Sequence, residues 1–148
     1  MEEKEGALAE QIGGDHYRKL VIQPVELIRD INANFFQGNV IKYVTRYKDK
    51  NGIKDLEKAR HYLELMGELK PQIDTKLSQE YLLEAVANYS TGNNLGDFER
   101  DIILSIIYKD GENNIPERWK NKLKKKDYIE ELSDQFINTI SCQNKIKR

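Results

Sequence analysis

The segment Gly38-Asn39-Val40-Ile41-Lys42-Tyr43-Val44-Thr45-Arg46-Tyr47-Lys48-Asp49-Lys50-Asn51-Gly52 most narrows what this chain can fold into. Read as a helix, it carries two stripes. Val40, Val44 and Tyr47 recur at the i, i+4, i+7 spacing of a buried face. Asn39, Lys42, Tyr43, Arg46 and Lys50 recur at i, i+3, i+4, i+7, i+11 and form a second, polar stripe. A surface helix ordinarily mixes charges opposite its core. This stripe holds an amide, a phenol and three cations, and the segment's first acid, Asp49, comes near its end.

The rest of the chain reads as helices of the same kind. Pro24 suits a first helical position, where its missing N–H is not needed, and opens a helix over Val25 to Asn32. A turn from Asn32 to Phe36 leads to the two-striped helix, from Gln37 to Lys48, and Asn51-Gly52 stops it. A long helix follows from Ile53 to Leu69, with Leu56, Ala59, Leu63 and Met66 in its stripe, and Pro71 closes it. The short Asn-Gly connection predicts an antiparallel hairpin for these two helices. Ser78 to Tyr89 and Asp97 to Lys109 give two further helices. In the second, Ile-Ile-Leu-Ser-Ile-Ile competes as a strand, but its apolar pairs recur at i and i+4 and favour helix. Pro116 opens a short basic helix, and Asp127 caps an amphipathic one to Ile140. The expected fold is all-α: an antiparallel helical hairpin within a small bundle, with a C-terminal helical extension. Residues 1–15 are expected to be a flexible arm, 16–70 the helical domain and 71–148 a helical C-terminal region.

Composition limits the possible roles. Charged residues make up 33% of the 148 and hydrophobic ones 39%, so the core is modest and a homo-oligomer is a natural way to bury more surface. The net charge of −1 argues against a general nucleic-acid coat protein. Yet from Lys42 to Arg60 seven Lys and Arg face three acids, a local basic patch in a neutral chain. One cysteine, Cys142, excludes an internal disulfide framework, and two histidines are too few for a histidine-rich metal centre. No apolar run reaches the length of a membrane span, and the acidic start does not read as a signal peptide, so a cytoplasmic protein is expected. A second basic run around Trp119 has one aromatic only and reads as a solvated helix, which makes nucleic acid an unlikely partner.

The chemistry the stripe permits is anion binding. Lys42 and Arg46, one turn apart, can both reach one phosphate, Arg46 as a planar fork and Lys42 as a mobile point charge. Asn39 suits a ribose hydroxyl or a base edge, and Tyr43 can stack or donate its hydroxyl. Lys54, Lys58 and His61 share a stripe on the next helix that can face the first. His16, after two glycines and Asp15 and before Tyr17, reads either as part of a loop closing on a ligand or as a histidine capping the bundle. The candidate phosphate-binding residues are His16, Tyr17, Asn39, Lys42, Tyr43, Arg46, Lys50, Lys58 and His61; no catalytic residue is identified. Asp55 and Glu57 are the nearest metal-binding candidates, but two apart on a helix they point to different faces; Glu80 with Glu84 and Asp97 with Asp101 have the i, i+4 spacing that can share a metal and read better as surface acids. No Gly-x-x-x-x-Gly-Lys-Ser/Thr phosphate loop occurs.

One family resemblance carries further. The matching residues are Asp15-His16-Tyr17, Gln23-Pro24 with Glu26, Gly38 to Tyr47, Lys50-Asn51-Gly52, Asp55-Leu56, Lys58-Ala59 and Tyr62-Leu63. In them the segment from Gly14 to Leu63 resembles a short phage-borne domain family of poorly defined function that includes the small nucleotide kinase of podoviruses. The resemblance implies a phage product handling nucleotides in the host cytoplasm. Taken with the stripe, it favours a binder of a phosphate-bearing nucleotide or nucleotide-derived molecule. Such a binder is expected to need no cofactor and to act as an anti-defence sponge, sequestering a nucleotide immune signal of the host. The alternatives are a nucleoside monophosphate kinase, which needs ATP and magnesium, and a module that binds a host protein.

Overall fold

A computed structural model describes residues 4–107 of the chain. The two helices expected after Pro116, the Trp119 basic run and Cys142 lie outside the described residues. Five α-helices, with no strand among the described residues, form the small all-α bundle: α1 (Pro24–Asp30), α2 (Phe35–Arg46), α3 (Ile53–Leu69), α4 (Gln79–Gly92) and α5 (Asp97–Ile107). A 3-10 turn at Gly6–Ala9 precedes them.

Side chains at the helix ends set their limits. At the start of α1 the Glu26 carboxylate accepts from the Gln23 N–H at 2.7 Å, with Pro24 in the first turn. Asn34 and Gln37 exchange bonds with each other's backbone N–H groups at the start of α2, so that helix starts two residues before the pattern predicts. The buried Gln37 amide nitrogen also donates to the Ile106 carbonyl at 2.8 Å, tying the start of α2 to α5. Gly52, at φ +54°, turns the chain between α2 and α3, and its N–H donates to the Tyr47 carbonyl at 2.7 Å. The Asn-Gly stop and the hairpin it predicts are both present. Ser78 caps α4, whose last turn runs past Tyr89 to Gly92.

One apolar cluster joins all five helices, from Leu27, Val40, Ile41 and Val44 through Leu56, Leu63 and Met66 to Val86, Tyr89, Ile102, Ile103 and Ile106. Residues 71–78 therefore form a loop crossing the surface of a shared core: α4 and α5 pack into that core with the hairpin. The Tyr89 hydroxyl, buried in α4, hydrogen-bonds the Thr45 hydroxyl of α2. Ile102 to Ile107 are six successive buried residues, which is why this helix competes with a strand in the sequence: a helix buried all round has no alternating face to display. Residues 4–15, expected as a flexible arm, are tethered at several points. Lys4 pairs with Glu26 at 2.7 Å, and the Gln23 amide donates to the Leu8 carbonyl at 2.6 Å. Among the described residues no helix is long and apolar enough to cross a membrane.

A cationic groove between the hairpin helices

The polar stripe of α2 divides at Arg46. Its guanidinium turns to the first turn of α3, where Nε donates to Asp55 Oδ2 at 3.0 Å and Nη2 donates to Asp55 Oδ1 at 3.1 Å. A third donor, Nη1, reaches the Tyr17 hydroxyl oxygen at 3.0 Å. The Asp55 side chain is wholly inaccessible and that of Arg46 only 11% exposed. Burial works against the Arg46 charge, but the bonds to Asp55 and Tyr17 outweigh it and hold the guanidinium above its ordinary pKa. Arg46 is thus a partly buried brace between the hairpin and the loop before α1. It was expected as a free fork for phosphate, and its Nε and Nη2 fork holds a carboxylate of the protein itself.

Asp55 and Glu57 do face apart, as two positions on a helix should: Asp55 inward to Arg46, Glu57 outward to solvent. Among the described residues no group of three or more His, Cys, Asp and Glu side chains is placed to hold a metal ion.

His16 and Tyr17 stand beside this brace. Their rings pack at 4.2 Å, and Gln11 holds the loop from below. Its amide oxygen accepts from the Tyr17 N–H at 2.7 Å and its amide nitrogen lies 3.0 Å from His16 Nδ1. Gln11 gave no signal in the sequence, because a lone glutamine before two glycines has no pattern. Gly14 adopts φ +128°, and a Cβ there would stand 3.2 Å from His16 Nδ1, so the loop requires glycine.

Burial lowers the His16 pKa from 6.5, and the Lys50 and Arg46 charges add to the effect. The folded state therefore favours neutral His16, and the unfolded chain binds the proton more readily. The stability this contributes is complete above about pH 6.5, the unfolded value, and is lost as pH falls through that value toward the lower folded one. A His16→Gln variant is expected to show a shallower fall in melting temperature between about pH 7 and 5. NMR titration of the wild-type ring should give a midpoint below 6.5. A midpoint at or above it would disprove the placement of His16 beside two cations.

The other half of the stripe converges on Tyr43. Lys42 Nζ lies 4.4 Å from the Tyr43 ring centre, the Arg46 guanidinium carbon 4.8 Å, and Lys58 Nζ, from α3, 5.4 Å. Tyr43 and Tyr62 stack at 6.1 Å with 22° between their planes. The rings lie at an open groove of about 520 Å³ where α2 meets α3, lined by Tyr43, Lys54, Glu57, Lys58, His61 and Tyr62. Phe35, 67% exposed, continues the aromatic surface edge-on to Tyr62 at 5.8 Å. Among the described residues Lys42, Lys50, Lys54 and Lys58 enter no ion pair. Cation–π contacts at exposed sites stabilise by about 0.5–1 kcal/mol each, and cations sharing one ring repel one another. An anion at this place would relieve that repulsion.

The candidate residues thus fall into two linked groups. His16, Tyr17, Arg46 and Lys50 form one; Lys42, Tyr43, Lys58 and His61 form the other; Arg46 touches both. Among the described residues Asn39 hydrogen-bonds to neither group; its amide donates back to the Phe35 carbonyl at 2.8 Å. Lys54, Glu57 and Tyr62 complete the groove. Of these, Lys54 was legible as part of the α3 stripe, whereas Tyr62 reads as an apolar residue broadening the core face.

Residues 13–64 match a protein family described as of unknown function (DUF3310), over about a third of the chain. The similarity spans the His16 loop, the first two α-helices and most of the third. It takes in every groove-lining residue and stops before α4. No curated protein and no solved structure matches the chain.

Proposed function

We propose that this protein binds a phosphate-bearing nucleotide, or a small molecule derived from one, in the groove between α2 and α3 and holds it unchanged. The observation that carries the reading is the convergence of Lys42 and Lys58, from two helices and without carboxylate partners among the described residues, on the Tyr43 ring at the mouth of the groove. A volume of about 520 Å³ falls in the range of small-molecule sites, about 300–1,000 Å³. The lining supplies both chemistries a nucleotide needs: ammonium groups for phosphate and tyrosine rings for a base. Charge-assisted hydrogen bonds contribute roughly 1.5–3 kcal/mol each. Two or three of them, after ordering costs, support micromolar affinity.

The resemblance to a phage-borne family supports the cytoplasm of an infected host as the compartment, and sequestration of a nucleotide signal as the use. Sequestration requires affinity and abundance only. Calorimetry with AMP, GMP and adenosine tests the binding: the nucleotides should bind at micromolar concentration, and adenosine about a hundredfold more weakly. Equal affinity for adenosine and AMP would exclude a phosphate site. After incubation with nucleotide, ATP and magnesium, chromatography of the denatured protein should return the nucleotide unaltered. Nucleoside diphosphates in the mixture would overturn sequestration and establish the kinase.

A further inference from the structure

Among the described residues Glu57 is the one acid lining the groove. It stands on the α3 stripe with Lys54, Lys58 and His61, at the i, i+3, i+4, i+7 positions that place four side chains side by side. A glutamate so placed commonly pairs with a lysine on its own helix. Glu57 is exposed, and among the described residues it forms neither an ion pair nor a hydrogen bond, although cationic side chains line the same groove. For a bare anion this carboxylate is a handicap, because it repels what Lys42, Lys54 and Lys58 attract. Its two oxygens accept from two neighbouring donors at once, and they do nothing for a ligand without donors. A nucleotide has two places where donors stand paired: the vicinal hydroxyls of ribose and the N1–H and N2–H edge of guanine.

We propose that Glu57 is the specificity-determining residue of the groove, selecting nucleotides that present paired hydrogen-bond donors at a distance from the phosphate held by the lysines. This rests on the nucleotide-binding reading of the same groove. The cations supply attraction common to all phosphates. Glu57 subtracts from it for every ligand and restores it only for one that donates to both oxygens.

The test compares the full chain with its Glu57→Gln variant by calorimetry at one ionic strength. The probes are GMP, AMP, their 2′-deoxy forms and inorganic phosphate. Because Glu57 is exposed, the variant should fold as the wild type does, which a thermal melt verifies. Glutamine keeps one acceptor but places a donor where the second should be. The variant is expected to bind the favoured nucleotide about tenfold more weakly and inorganic phosphate about two- to fivefold more tightly. Loss confined to GMP and AMP identifies the ribose hydroxyls, and loss confined to GMP and deoxy-GMP identifies the guanine edge. If all four nucleotides change in the same direction and proportion as inorganic phosphate, Glu57 selects nothing and the proposal falls while the binding site stands. If the wild type binds none of the five probes, both readings fall together.

Discussion

Replacing Asp55 with alanine is expected to destabilise the protein by about 3–5 kcal/mol, the usual cost of leaving one partner of a buried ion pair uncompensated. For a chain of this size that lowers the melting temperature by about 6–20 °C. Asp55 is wholly inaccessible, and both its oxygens accept from Arg46, so its removal strands a guanidinium that is itself almost covered. It also frees Tyr17, which meets the same guanidinium, and loosens the loop carrying His16. Urea unfolding gives the free energy directly. A double variant, Arg46→Met with Asp55→Leu, should recover much of the loss, because two apolar side chains need no partner. A loss below about 1 kcal/mol for Asp55→Ala, typical of an exposed pair, would show that the brace does not carry the hairpin.

Changing Lys42 and Lys58 together to alanine should have the opposite profile. Stability should fall by no more than about 1–2 kcal/mol, the sum of two cation–π contacts to Tyr43 less the repulsion their removal relieves. Nucleotide affinity should fall about a hundredfold at low ionic strength, as two charge-assisted contacts are lost and the remaining attraction is screened. Lys42 and Lys58 are chosen over Arg46 because their ammonium groups are unpaired among the described residues, so their loss removes binding without removing structure. Calorimetry read beside a thermal melt separates the two effects. Undiminished binding in a folded double variant would place the ligand elsewhere.

The contrast between these variants shows where the sequence was informative. Two cations one turn apart on one helix, Lys42 and Arg46, look equivalent in sequence. They differ because position 46 lies where α2 closes against the first turn of α3, and there a carboxylate waits at hydrogen-bonding distance. An acid in a helix's first turn reads as a favourable charge near the dipole, and nothing in the spacing tells Asp55, which is buried, from Glu57, which is not. The distinction follows from which face of α3 meets α2. Likewise the Lys58 ammonium meets the Tyr43 ring because an antiparallel hairpin brings together residues fifteen positions apart.

The sequence by itself determined the helices, the Asn-Gly hairpin, the buried stripe of Val40, Val44 and Tyr47, and the presence of more cationic side chains than a core-packed helix needs. These are local or periodic properties, settled by backbone propensity and by which side chains repeat every third or fourth position. Only the tertiary structure decided how the stripe is divided. It assigned Arg46 to Asp55 and Tyr17, left the half-buried Lys42 and the exposed Lys58 around Tyr43 without ion-pair partners among the described residues, and set Glu57 in the same groove. The physical reason is that burial and charge pairing depend on what the neighbouring helix presents. No periodicity within one helix records that.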